Sequence, residues 1–181
     1  DVSNSDSVKE VFSKFRRDTS VYALVNVAGV ASMNLLVSTP EDTIKKIIET
    51  NLLGTIYCTK AIIPSMIKSK NGRIINFSSF AVRIGLKGES AYIASKGGVE
   101  AFSRSIAKEL SPANITVNTI SPSIIDTRLT SGLSETIKKT IIERQIIESK
   151  CTVSDVFDCL KMILSPESKK LSGEIFNIGG V

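Results

Sequence analysis

The stretch G-R-I-I-N-F-S-S (72–79), followed by Y-I-A-S-K (92–96) and I-T-V-N-T-I (115–120), decides how this chain folds. Residues 73–78 are apolar enough for a strand buried on both faces, as parallel strands are. Residues 91–110 read as a helix that Pro112 ends, and Asn114 suits a left-handed turn before a strand at 115–120. Strand, helix and strand in that order make a crossover unit, and the rest of the chain keeps the alternation. The expected fold is α/β, a parallel sheet covered by helices.

Working toward the amino terminus, residues 21–26 form a short apolar strand. Before them Val8, Val11, Phe12 and Phe15 recur at helical spacing, with Ser7 and Glu10 placed for a capping box. After Thr39, Pro40 is expected at a first helical position, opening a helix that passes Asn51 towards Met66, where Pro64 should bend or unsettle its end. Residues 80–90 read as a loop carrying Gly85 and Gly88. Towards the carboxy terminus, residues 127–133 are polar and irregular, suited to a mobile lid. Helices are expected at 135–148 and 153–164, the second started by Thr152 and Asp155, with a last strand at 175–178. No repeat, low-complexity segment or interdomain linker interrupts the 181 residues, which are enough for one domain with a good core.

Composition removes several function classes. The chain has no histidine, so His-based triads and His metal sites are excluded. No apolar run approaches the roughly 20 residues of a membrane span, and no signal-peptide pattern opens the chain. Cys58, Cys151 and Cys159 are odd in number and lack Cys-x-x-Cys spacing, which reads as residual thiols of a reducing compartment. The expected location is cytoplasmic. Net charge is +5, but its lysines (Lys45, Lys46, Lys68, Lys70, Lys138, Lys139, Lys169, Lys170) are spread along helix-like stretches. Nucleic-acid binders usually concentrate such charge or interleave it with aromatic platforms. A solvated surface is the default reading, with modest steering of an anionic ligand second.

Tyr92 and Lys96 are four residues apart, so on a helix they share a face one turn from each other. A free phenol has a pKa of about 10, and a nearby ammonium favours its ionised form. That would let the tyrosine exchange a proton near neutral pH, as carbonyl reduction requires. Alone, the pair is no more than an exposed helical pair. Ser79, thirteen positions upstream, and Asn51, a further twenty-eight back, make it specific. Ser79 by itself reads equally well as a strand-end cap, whereas Asn51 is a poor helix former in mid-helix, which modestly favours a special role.

Together with N-V-A-G (26–29), I-I-E-T-N (47–51), V-N-T-I-S-P (117–122) and S-G-E-I-F-N-I-G-G (172–180), these residues carry a resemblance to the short-chain dehydrogenase/reductase family. Order and spacing are similar to those of the compact reductases typified by bacterial 3-oxoacyl-acyl-carrier-protein reductase, from the first residue to the last. The resemblance implies a doubly wound, Rossmann-like sheet and hydride transfer between NAD or NADP and a carbonyl or alcohol substrate, with a 3-oxoacyl thioester as the candidate. It implies that Tyr92 protonates the developing alkoxide while Ser79 hydrogen-bonds the carbonyl oxygen. Lys96 lowers the tyrosine pKa and holds the nicotinamide ribose, and Asn51 anchors a water that links Lys96 to solvent. Cofactor contacts carry over to Asp1 and Val2, to Asn26, Val27, Ala28 and Gly29, and to Tyr92 and Lys96. They also carry over to Pro122, Ile125 and Thr127, where the Ile125 backbone and Thr127 hydroxyl meet the carboxamide.

Departures from the family pattern bear on these expectations. The family's T-G-x-x-x-G-I-G, whose helix amino terminus holds the pyrophosphate, has no counterpart in the 181 residues. Gly97 and Gly98 lie inside a helix, and Gly179 and Gly180 close the chain, so neither pair serves. Asp1, Val2 and Ser3 resemble the D-V-[ST] that ends the family's third strand, so the chain resembles the carboxy-terminal part of a single family domain, residues 1–181, without its first three strands. About 60 residues, two strand–helix units, would precede it. As it stands the chain is expected to hold the cofactor weakly and could be inactive, and its strand at 21–26 becomes an exposed apolar edge. Val27 replaces the second asparagine of N-N-A-G, which helps tie neighbouring strands. Ser123 replaces the glycine of P-G, a position that calls for close backbone approach or a positive φ. Residues 146–150 lack the glycine–arginine common before the last helix, which counts against a specific acyl substrate.

Two readings follow. The first is an NAD(P)-dependent carbonyl reductase acting on a small-molecule or acyl-carrier-bound substrate, with neither nucleic acid nor membrane as partner. The second is a non-catalytic scaffold with the family's fold, or an inactive fragment without dinucleotide binding. Assembly into a homodimer or homotetramer is expected, because the helix at 91–110 carries small or apolar residues (Ala94, Gly97, Gly98, Ala101, Phe102, Ser105) on more than one face.

Overall fold

The computed structural model describes residues 1–15 and 21–180. Four parallel strands, β1 (Ala23–Asn26), β2 (Gly72–Phe77), β3 (Ile115–Pro122) and β4 (Ile175–Ile178), lie side by side in chain order. The helices are α1 (Ser5–Ser13), α2 (Glu41–Ile48), α3 (Gly54–Ser69), α4 (Ala81–Ile84), α5 (Ser90–Leu110), α6 (Glu135–Ile142) and α7 (Val153–Leu164). β1 forms one edge of the sheet, and all four of its residues are only half-buried.

Strand alternation sends side chains to opposite faces. Ile74, Ile115 and Val117 point to a layer made by Ile62 and Met66 of α3 and Ala107 and Leu110 of α5. Ile75 and Ile120 point the other way, onto Ile163 of α7. Helices therefore cover both faces, the doubly wound arrangement that the alternation of elements predicts. Each fully buried isoleucine contributes roughly 1.5–3 kcal/mol relative to an exposed one. A polar line also crosses this core. Asn26 Nδ2 donates to Asn76 Oδ1 at 2.8 Å, and Asn76 Nδ2 donates to Ser103 Oγ at 2.8 Å. The tie between neighbouring strands that Val27 cannot provide is thus made by Asn26 and Asn76, and Val27 itself is exposed.

Several local expectations are corrected. α1 is capped by Asn4, whose Oδ1 accepts from Asp6 N and Ser7 N, rather than by a Ser7–Glu10 box. Of its apolar set only Val8 is buried, because a nine-residue helix at the surface turns one narrow stripe inward. The helix past Asn51 is three consecutive segments: α2, a π-helical turn at Glu49–Leu53, then α3. Pro40 is its cap, at φ −59° and ψ 141°, not its first residue. Pro64 sits inside α3, which runs on to Ser69 and ends at Lys70 in the left-handed conformation. The Lys60 carbonyl that loses its partner is on the exposed face, where water can satisfy it. The loop at 80–90 contains α4, and α6 stops at Ile142. The Thr152–Asp155 capping box of α7 and the turn at Asn114 (φ 56°) form as expected.

Candidate active site

In open α/β sheets, ligands bind outside the carboxyl ends of the strands. Here the segments following β1, β2 and β3 meet the first turns of α5 around a cavity of about 410 Å³. Val27, Gly29, Ser79, Tyr92, Lys96, Pro122, Ile125 and Thr127 all line it, so eight of the sequence-derived site residues share one wall or another of the same space.

α5 places the pair. Its first turns bury Tyr92 and Lys96, at 7% and 5% exposure, on the side facing β2. Lys96 Nζ donates to the Phe77 carbonyl at 2.8 Å and lies 5.9 Å from the Tyr92 ring centroid. Burial dominates both titrations. It raises the Tyr92 phenol to about 12, against a smaller lowering by the Ser79 hydroxyl, and the Glu89 charge adds to the rise. It lowers Lys96 to about 8. The expectation that Lys96 depresses the tyrosine pKa is therefore corrected for the protein alone. Desolvation outweighs attraction when the ammonium is held against a carbonyl and the phenol is shut away from water.

Asn51 stands behind the cavity wall, with its side chain fully committed. Its Oδ1 accepts from Val30 N at 2.8 Å, and its Nδ2 donates to Val30 O at 2.9 Å and to Ser95 Oγ at 3.0 Å. The π-helical turn presents this side chain, and such turns recur at functional sites. Gly29 lies between the key groups: a Cβ built there would stand 3.5 Å from both Asn51 Oδ1 and Lys96 Nζ. Ser79 Oγ accepts from Ala81 N at 3.2 Å, so it does cap the turn into α4 while also lining the cavity beside Tyr92. The capping reading of that serine holds, and the capping side chain stands at the cavity.

The remaining expected residues lie further off. Asn26 points into the sheet, Ala28 is exposed, and Val2 packs against Gly54, where an added Cβ would come within 2.8 Å of Val2 Cγ2. Asp1 Oδ1 accepts from Ser3 N and Ser3 Oγ. Ser123 has no positive φ, so the replacement of glycine costs no backbone strain, and its N–H bonds Ile178 O at 3.1 Å. Two residues escaped the sequence reading. Ser95 holds Asn51, and its place inside Y-I-A-S-K was the available signal. Glu89 lines the cavity three residues before Tyr92, and only that spacing pointed to it.

A family model described as Enoyl-(Acyl carrier protein) reductase matches residues 1–180. The chain belongs to the short-chain dehydrogenase/reductase family. Members of that family are NAD(P)-dependent oxidoreductases. Among curated relatives, 3-oxoacyl-[acyl-carrier-protein] reductase of Staphylococcus epidermidis is 31% identical over 97% of this chain and 70% of its own length. The Thermotoga maritima protein of that name is 34% identical over 99% of this chain and 73% of its own. A solved structure titled "ElxO with NADP Bound" superposes with a TM-score of 0.88 at 27% identity, covering 98% of this chain and 74% of that one.

The buried pair sets a pH dependence of stability. Between about 8 and the ordinary 10.5, the unfolded chain still binds the Lys96 proton and the folded one does not, so this residue's contribution makes stability rise with pH. Tyr92 acts oppositely, since from 10.0 to about 12 the folded state keeps a proton that the unfolded chain releases. Urea unfolding of wild type and Lys96→Met between pH 8 and 10 isolates the lysine. The difference between the profiles should slope by up to about 1.4 kcal/mol per pH unit, the value for one proton. Parallel profiles would mean that Lys96 is charged throughout.

Proposed function

We propose that this protein works as an NAD(P)-dependent reductase of a carbonyl substrate, or a dehydrogenase of the corresponding alcohol, at the cavity beside Tyr92. The observation that carries it is the meeting of Ser79, Tyr92 and Lys96 at one cavity over the strand ends. The donor set suits the nicotinamide end of the cofactor. Gly29 leaves a gap beside Lys96 Nζ that a side chain would fill, and Thr127 and the Ile125 backbone border the same space. When bound, the cofactor supplies or accepts the hydride. Tyr92, protonated at neutral pH, gives its proton to the carbonyl oxygen as charge develops. Ser79 hydrogen-bonds that oxygen and is worth most where water is excluded. Lys96 holds the ribose and, with Asn51 fixing the loop after β1, replaces the proton.

The lining is largely apolar, with Phe80, Leu86, Ile124 and Leu133 among it, so an alkyl-bearing substrate fits. A 3-oxoacyl thioester is the candidate supported by the names of the relatives at 31–34% identity. The test is turnover of NADPH or NADH with such thioesters and with simple ketones, by wild type and by the Tyr92 variant discussed below.

Assembly belongs to the same reading. α5 buries Ser95, Val99, Ser103 and Ala107 against the sheet side while Ala94, Ala101 and Ser105 remain exposed. A second small, weakly polar face on a long helix suits packing against a symmetry mate. Light scattering at low micromolar concentration should return two or four times the 19.5 kDa chain mass. A stable monomer would leave that face as mere solvent-facing surface.

A further inference from the structure

We infer that Glu89 is a specificity-determining residue, whose carboxylate accepts a hydrogen bond from a hydroxyl carried one or two carbons from the reacting carbon. This deepens the reading of the cavity as a carbonyl-reductase site and rests on it. It favours a hydroxyketone over a 3-oxoacyl thioester, whose neighbouring group is an acceptor and would face the carboxylate with like polarity.

Glu89 is 9% exposed and lines the cavity. It is the only carboxylate among the lining residues, as Lys96 is the only cation, and Lys96 is held by the Phe77 carbonyl. Among the described residues the Glu89 side chain has neither a hydrogen-bond donor nor an ion-pair partner. The plain alternative is a helix cap, because Glu89 precedes α5 and a carboxylate is favoured at a helix amino terminus. Its side chain makes no capping hydrogen bond, however. Leu86 lines the same cavity, and burial raises the Glu89 pKa from the ordinary carboxylate value. A carboxylate with no protein donor relies on water, so a ligand that displaces that water must donate to it in turn. The cavity is the direction from which a donor can come.

Reach fits the reaction. The Glu89 carbonyl accepts the first hydrogen bond of α5, from Ile93 N at 2.8 Å, while Glu89 itself is the non-helical cap at φ −117° and ψ 23°. Tyr92 is three residues on, in the first turn, and both residues line the same cavity. A substrate whose carbonyl oxygen meets the Tyr92 phenol therefore carries its adjacent carbons past Glu89. The Glu89 charge is felt at that phenol, as proximity requires.

The experiment compares 1-hydroxy-2-octanone with 2-octanone, which differ by one hydroxyl. Calorimetric titration of the full chain, with and without NADPH, gives the ratio of dissociation constants. Wild type should bind the hydroxyketone at least about tenfold tighter, the scale of a hydrogen bond to a charged group. Glu89→Gln, whose neutral amide oxygen is a weaker acceptor, should bring the ratio well below that of wild type. Glu89→Asp, which keeps the charge and guards against a folding artefact, should retain part of it. Equal binding of the two ketones by wild type, binding of neither, or an undiminished preference in Glu89→Gln would each overturn the assignment. A Glu89-dependent preference without NADPH or NADH turnover would leave the assignment standing and remove the proposed reduction instead.

Discussion

Tyr92→Phe is expected to lower ketone turnover by about a thousandfold in the catalytically competent protein, while leaving cofactor affinity nearly unchanged. The size follows from losing a positioned proton donor, typically 10²–10⁴-fold. Only the hydroxyl is removed. The ring, 7% exposed and packed with Ile47 and Ala81, stays in place, so the fold is preserved. With its pKa pushed up to about 12, the phenol is fully protonated at neutral pH and ready to donate in the reductive direction. Steady-state assays with NADPH or NADH, paired with calorimetric cofactor titration, separate the two effects. Retention of a tenth or more of wild-type kcat would remove Tyr92 from the role of donor. An equal loss of cofactor affinity would mean that the change disturbed binding rather than proton transfer.

The second large effect is expected at Asn51. Asn51→Ala deletes three hydrogen bonds and strands both backbone groups of Val30, with the Asn51 side chain at 0% exposure. Unsatisfied buried groups cost about 1–3 kcal/mol each, and members of one network fail together. A loss of about 3 kcal/mol is expected, seen as a fall in Tm of roughly 6–12 °C for a chain of this length. Thermal unfolding followed by circular dichroism measures it. A change below about 1 °C would mean that the loop after β1 is held by other contacts, and that Asn51 serves only the proton path.

Much of this was legible before any coordinates. β2, α5, α7 and β4 lie within a residue of where apolar runs, Pro112 and the Thr152–Asp155 box put them, because each carries its own local signal. The lengths of α1 and α6 and the π-helical turn were not legible, since no residue type encodes them. They depend on which face a neighbouring segment covers. Ser79, Tyr92 and Lys96 were readable as a motif because the proposed proton transfer needs those chemical groups at that spacing. Glu89 was not, because an acidic residue ahead of a helix is ordinary in sequence and becomes informative only when packing has withheld its partners.

By itself, then, the amino-acid sequence determined the alternating α/β plan, the turn at Asn114 where chain direction must reverse, and the motif from which the reacting groups are proposed. These are properties of short stretches, governed by backbone sterics, periodicity and side-chain chemistry. The tertiary structure alone decided the electrostatics. Lys96 and Tyr92 sit four residues apart in any helix, and proximity alone predicts a lowered phenol pKa. Burial under β2 and the loops of the cavity reverses that sign, because desolvation depends on everything that surrounds a group and not on the neighbour one turn away.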